Sequence, residues 1–348
     1  MSKRGIVRCA ALGLAAVLAL GVASGAASRP ASRTGALSMP RRAPEQLKVT
    51  SRIDLGAYSQ AALDGTAFAE APNDTVYFAS GSAVRAVRGD AKPTVLFRAA
   101  GPVLALAATN GDLYVEVGTR ITEYKLPRLA RQRSWVLPRA VMRPTSAGLF
   151  PSSAVLWSWS DWATDESGFE YATVSAISPS TSSVRLVDSN AYPADIAASS
   201  AGLYYETFVG TKDYLARATA SGGRELSAPT PDVDAPLALG PGYVALFPTR
   251  ETGASYVDEF SAATLAELHT SRLGLATAAV VGTASGVLAV ESPCSSPACP
   301  SAKVVWVDAA DGAETGGISV PDAQRLLDGT HPAAVAEVNG SAYLVRLS

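Results

Sequence analysis

The sequence predicts an all-β domain built of repeats, and three observations carry that prediction. From Leu47 onward, short β-rich runs alternate with clusters of Gly, Asn, Asp, Ser and Pro, the pattern of strands joined by tight turns. The runs recur at a spacing of roughly 40 residues, the period of architectures built from four-stranded units. No amphipathic helix of useful length interrupts them, and Asp322 to Leu327 is the only helix-like stretch.

The units follow in order. The first turns at Pro72-Asn73-Asp74 and enters Val76-Tyr77-Phe78. The second turns at Asn110-Gly111-Asp112 and enters Leu113-Tyr114-Val115. A third sits around Ser153 with Val155-Leu156-Trp157. Gly202, Gly242 and Gly286 then introduce Leu203-Tyr204-Tyr205, Tyr243-Val244-Ala245 and Val287-Leu288-Ala289. A terminal unit ends on Ala342 to Leu347 with no fourth strand after it. Leu47 to Asp54 supplies an unpaired strand that would complete that unit and remove the free edge. The predicted fold is therefore a β-propeller of seven four-stranded blades closed by an N-terminal strand. Six or eight blades also fit the spacing, and a pair of β-sandwiches is the alternative.

The second half of each unit repeats too. Tyr214 to Arg217 leads into Ala220-Ser221-Gly222-Gly223, and Tyr256 to Phe260 leads into Ser261 to Thr264. The clearest case is Val304-Val305-Trp306-Val307-Asp308 followed by Ala309-Ala310-Asp311-Gly312. A strand ending in Asp, a short turn ending in Asp-Gly and a return strand resemble the PQQ-like and YVTN-type propeller repeats. The resemblance spans Leu47 to Ser348 and implies architecture, because many unrelated activities use that fold. It brings no quinone cofactor, since the vicinal cysteine pair of many quinoprotein alcohol dehydrogenases is absent.

The N-terminus carries an export signature. Lys3, Arg4 and Arg8 precede the apolar run Cys9 to Val22, and Ser24-Gly25-Ala26-Ala27 offers small residues for cleavage after Ala26 or Ala27. Residues 1–27 thus read as a signal peptide, 28–46 as a flexible linker and 47–348 as the propeller domain. An uncleaved anchor from Ile6 to Ala27 is the rival reading. Export places the mature protein outside the cytoplasm, secreted or associated with the cell envelope. The excess of Arg over Lys, with abundant Ala and Gly, reads as a high-GC bacterial coding bias. After cleavage two cysteines remain, Cys294 and Cys299, and their proximity in an exported chain predicts a disulfide.

The catalytic search is negative. A net charge of −2 gives no electrostatic support for nucleic-acid binding. The only histidines, His269 and His331, read as a strand residue and a turn residue. No phosphate loop, dinucleotide fingerprint or zinc-ligand spacing occurs, so no catalytic residue, cofactor or metal is assigned. Arg88-Gly89-Asp90 and the sequons at Asn73 and Asn339 read as tight turns.

The unusual segment is Trp157 to Tyr171, with three tryptophans beside four carboxylates. Trp157 and Trp159 share one strand face and read as packing between blades, whereas Trp162 falls among turn residues. Connections between second and third strands lengthen in four consecutive units: Ser160 to Phe169, Thr207 to Asp213, Pro248 to Ser255 and Ser292 to Ser301. They predict a raised sector holding Trp162, Asp165, Glu166, Lys212, Arg250 and Glu251 as ligand-binding candidates. The functional expectation is an exported, non-enzymatic propeller that binds a protein or envelope glycan, with no stable membrane insertion after cleavage. A secreted lyase or hydrolase acting on polysaccharide or peptide is one alternative, and a structural envelope component is the other.

Overall fold

The computed structural model describes residues 46–57, 67–138, 147–152, 154–164, 170–192, 196–230, 235–249, 254–274, 277–283, 285–291, 299–327, 332–339 and 341–348. Their regular structure is β throughout. Strand β1 (Val49–Ala57) precedes the first set, β2–β5 (Ala67–Glu70, Thr75–Ser80, Ala83–Arg88, Thr94–Arg98). The second set is β6–β9 (Val103–Ala108, Asp112–Val117, Arg120–Lys125, Ala130–Val136). The third is β10–β13 (Ala147–Pro151, Leu156–Thr164, Glu170–Ser178, Ser183–Ala191), and the fourth is β14–β17 (Ala197–Ser199, Gly202–Val209, Lys212–Ala218, Arg224–Thr230). The fifth is β18–β21 (Leu237–Gly240, Tyr243–Leu246, Tyr256–Ser261, Glu267–Arg272), and the sixth is β22–β25 (Thr277–Thr283, Gly286–Glu291, Lys303–Val307, Glu314–Ser319). The last three strands are β26–β28 (Ala323–Leu327, Ala333–Val338, Ser341–Leu347).

Each set is an antiparallel meander, and β1 pairs with β28 to give the last sheet four strands, in the order β26-β27-β28-β1. The third and fourth sets join into one eight-stranded sheet through the pair Ala191↔Thr207. The first strands of successive sets touch in the order β2, β6, β10, β14, β18, β22, β26, and β26 returns to β2. The sheets therefore stand as a closed ring.

Period-two alternation explains the core. In β7, Leu113 and Val115 face the first set while Tyr114 faces the third. In β15, Leu203 and Tyr205 pack on the third set while Tyr204 packs on the fifth. The second strand of each set is thus buried on both faces, which is why these strands read as continuous apolar runs. Trp157 and Trp159 are buried in the cluster between the third and fourth sets, as their shared face predicts.

Neighbouring sets are also latched by side chains. Arg133 of the second set donates to the Pro179 carbonyl of the third. Arg185 of the third donates to Ser221 and Ala220 carbonyls of the fourth, at 2.9 and 3.3 Å. Arg217 and Tyr204 of the fourth both donate to Ala262 O of the fifth. The ring seam is closed by Arg346, whose Nη2 donates to Asp74 O at 2.7 Å and whose Nη1 lies 3.6 Å from the Glu70 carboxylate.

One element differs from expectation. Asp322 to Leu327 contains the strand β26, not a helix, with Asp322 at φ 57 turning the chain into it. A single turn of helix gains little by itself, whereas pairing with β27 satisfies the backbone of Ala323 to Leu327. The sequence motifs read as turns do form turns. Asn73 Oδ1 accepts from Thr75 N, and Asn339 and Gly89 adopt positive φ.

Candidate functional site

In a meander, connections between second and third strands emerge at one end of each sheet. The predicted sector belongs to that end. Its most prominent part is the β11–β12 hairpin, whose strands are nine residues each. At roughly 3.3 Å per residue it reaches several residues past the six-residue β7 and β8. Trp162 lies within β11, not in a turn. Asp161 opposes Ala172 and Ala163 opposes Tyr171, so Trp162 is the extra residue of a β-bulge. Asp165, Glu166, Arg250, Glu251 and Cys294 lie outside the described residues, as does His331.

Lys212 occupies a different setting from the one expected. Thr207 to Asp213 is not a long connection: Val209 pairs with Lys212, leaving the two-residue turn Gly210-Thr211. Gly210 at φ 67 supplies the left-handed position that such a hairpin requires. Lys212 is thus an exposed strand residue. Between Pro248 and Ser255 the chain is tied by the Thr249↔Ser255 bridge. Cys299 is buried, with Sγ 3.6 Å from Ser301 Oγ. His269 is exposed on β21.

Beneath the sector the third and fourth sets are cross-braced. Tyr192 N donates to Glu206 O, Trp159 Nε1 donates to Tyr192 O at 3.1 Å, and the Tyr192 hydroxyl donates to Asp213 Oδ1 at 2.6 Å. The buried Asp188 carboxylate accepts from Tyr205 OH, Thr207 Oγ1 and Arg224 Nη1. Burial, then the Asp188 charge, pushes the Tyr205 hydroxyl up and keeps it a donor.

A pocket of 460 Å³ opens at the other end of the sheets, between the second and third sets. Its walls are the turns before β7 (Thr109, Asp112), before β11 (Pro151, Ser152, Ala154, Val155) and before β13 (Pro179, Ser180), with Tyr114 and Leu156 inside. Lys125 Nζ lies 3.1 Å from Asp112 Oδ1. Beside Tyr114 on the same sheet face, Glu123 opposes Arg133 across the β8–β9 pair. The Tyr114 hydroxyl is pushed up to about 12, by burial first and then by the Asp112 and Glu123 charges. The Glu123 carboxyl is raised by burial and by Asp112, against the pull of Arg133.

Neither a protein family nor a curated protein matches the chain. Solved structures do. A chain from the crystal structure of the mitotic checkpoint complex aligns with a TM-score of 0.62 at 12% identity, over 89% of this chain and 98% of that one. U3-55K aligns with a TM-score of 0.56 at 10% identity, over 86% and 98%. BBS1N, solved in complex with ARL6DN, aligns with a TM-score of 0.52 at 13% identity, over 86% and 94%. These are β-propeller structures. The chain is a β-propeller.

In propeller terms each set is a blade, and β1 is the strand that closes the ring. Connection length, the signal used for the second-to-third-strand sector, misjudged Lys212, which follows a two-residue turn. The pocket was missed, because Asp112 reads as a turn residue and the other walls come from sequence positions 40 to 70 residues away. The available signal was alternation: Asp112 and Tyr114 share one face of β7 with Glu123 of β8, polar residues where an apolar inter-blade face is the rule.

Proposed function

We propose that this chain is an exported, non-enzymatic propeller of seven blades, with repeats of the PQQ-like or YVTN type, that binds a protein or envelope ligand at the end where second and third strands connect. The observation that carries the reading is the bulged β11–β12 hairpin, which is longer than the β7–β8 hairpin of the preceding blade and carries Trp162 at its bulge. Bulges are frequent where a sheet edge serves recognition, and the hairpin is held from below where Trp159 Nε1 donates to Tyr192 O. Two of the similar structures, the mitotic checkpoint complex and BBS1N in complex with ARL6DN, are of protein complexes, which favours a partner-binding role. The repeat assignment draws support from the turn after β24. There Asp308 Oδ1 accepts from Ala310 N, and Gly312 N donates to Asp308 O.

Export rests on residues 1–27, and the Cys294–Cys299 disulfide follows from the oxidising compartment. Mass spectrometry of the mature, unreduced protein reads both: an N-terminus at Ala27 or Ser28, and a mass two hydrogens below the dithiol. A retained N-terminus, or thiols that alkylate in the native protein, would reject each in turn. The binding face is tested by replacing Trp162 and Arg250 with Ala, verifying the fold by circular dichroism and comparing capture from envelope extracts. A folded double variant that captures every partner as before removes this sector as the binding site.

A further inference from the structure

The pocket between the second and third blades lies at the opposite end from the proposed partner face and is independent of that reading. Its volume of 460 Å³ is in the range of small-ligand sites. The charges around it are sorted by depth. The two carboxylates lie inward, with side-chain exposures of 19% for Asp112 and 12% for Glu123. The two cations lie outward, at 56% for Lys125 and 48% for Arg133. Arg133 is tied down by its bond to the Pro179 carbonyl. Its Nε is 4.0 Å from Glu123 Oε2, a buried oxygen that accepts no hydrogen bond.

Lys125 shows what the site accepts. Its ammonium straddles both Asp112 oxygens, at 3.1 and 3.4 Å, from a side chain more than half in solvent. An exposed pair of this kind is weak and exchanges readily. A guest cation would meet the same carboxylate from inside the pocket, where Tyr114, Val155 and Leu156 offer apolar surface to an alkyl stem. An anion would face Asp112 directly, and a neutral polyol would find the hydroxyls of Thr109 and Ser152 already bonded within their own turns.

We propose that this pocket binds a ligand carrying an ammonium or guanidinium group on an alkyl stem, with Asp112 as the counter-charge, Glu123 reinforcing it from behind and Lys125 as the built-in competitor that the guest displaces.

The test is calorimetric titration of the folded protein with cadaverine, agmatine, and N-acetyl lysine and arginine amides, with 1,5-pentanediol as the neutral control. The cations are expected to bind and the diol not. Lys125→Ala removes the competitor and should tighten cation binding about two- to fivefold, the range of an exposed ion pair. Asp112→Asn should weaken it at least about tenfold, the scale of a charge-assisted hydrogen bond. Binding by the blocked amino acids marks a peptide side chain as the source, whereas binding by the free amines alone marks a small metabolite. Equal binding of pentanediol and cadaverine, or an affinity that Lys125→Ala leaves unchanged, overturns the proposal. Lys125 is an exposed side chain, so that arm stands even where Asp112→Asn disturbs the turn.

Discussion

The seam of the ring is where this fold is most exposed to a single substitution. Blade contacts elsewhere join sheets adjacent in sequence, but the seam joins the two ends of the domain and depends on β28. Arg346 sits in that strand with 8% of its side chain exposed, facing a Glu70 carboxylate that is fully buried. At a separation of 3.6 Å and an effective dielectric near 20, the attraction is about 5 kcal/mol. Arg346→Met keeps the stem and removes the charge, leaving Glu70 buried without that guanidinium. Removing one partner of a buried pair costs about 3–5 kcal/mol. For a domain of this size that corresponds to a fall in melting temperature of roughly 6–20 °C. The bond from Nη2 to Asp74 O is lost as well, so a cycle with Glu70→Gln is needed to isolate the pair. In the double variant neither charge remains, and its destabilisation should fall below the sum of the single variants by about 2 kcal/mol or more. Guanidinium denaturation of the four proteins measures this. A single Arg346→Met variant within about 1 kcal/mol of the parent, or strict additivity, refutes the view that a charge pair holds the seam.

Three further outcomes are expected. A Cβ on Gly282 would lie 1.7 Å from the Leu239 carbonyl oxygen of the adjacent innermost strand. Gly282→Ala should therefore cost about 1–3 kcal/mol or more, while Gly242→Ala, at φ 83 with open space around it, should cost only about 1; equal costs in chemical denaturation would show that inner-strand spacing is not limiting. Glu291 has its carboxyl raised from 4.5 to about 7, by burial first and then by hydrogen bonding and repulsion from Glu314, with Lys303 opposing. The folded state thus retains a proton that the unfolded chain releases, so this group's contribution is full below about pH 4.5 and is lost as pH rises through about 7. Stability measured across that window should decline, and Glu291→Gln should flatten the decline; a parallel curve in the variant assigns the slope to other groups. Finally, the Arg185 fork donates to two carbonyls of the next blade. Arg185→Lys, with one ammonium for two acceptors in fixed directions, should lose about 1 kcal/mol in thermal unfolding, and no change would mean the latch is incidental.

What the sequence disclosed follows from which interactions are local. Val76-Tyr77-Phe78 and Leu113-Tyr114-Val115 were legible as buried strands because both of their faces are covered, a fact written into three consecutive residues. The closing strand was legible because the last unit lacked one and Leu47 to Asp54 had no other partner. Trp162 and Lys212 were misplaced because hairpin ends in this fold are set by register, not by polarity. Thr207, Phe208 and Val209 have strand propensity, but the polar Thr211-Lys212-Asp213 beside them suggested a loop. Asp322 to Leu327 shows the opposite error, with good helix formers held in a strand because the ring needs an innermost strand there. The pocket left only the alternation of polar residues in β7 and β8 as a trace, since its walls come from three turns on two blades and exist only after the blades pack.

Several arginines bridge successive blades. A propeller blade leaves its third-to-fourth-strand turns near the outer strands of the preceding blade, so carbonyls that end a sheet point toward a neighbouring chain segment instead of a paired strand. Arg133, Arg185 and Arg217 each reach such carbonyls on the next blade, at Pro179, Ala220 with Ser221, and Ala262. Arg346 also reaches a turn carbonyl on the neighbouring blade across the seam, at Asp74 in the turn between first and second strands. A guanidinium suits this position because it offers several donors in one plane and stays charged at any relevant pH, whereas an ammonium presents one strongly hydrated centre. The fit extends to the acceptor side: the Gly222 turn leaves room where the Arg185 guanidinium lies, since a Cβ there would fall 1.8 Å from its Cζ. The recurrence of these contacts between successive blades gives arginine a physical use.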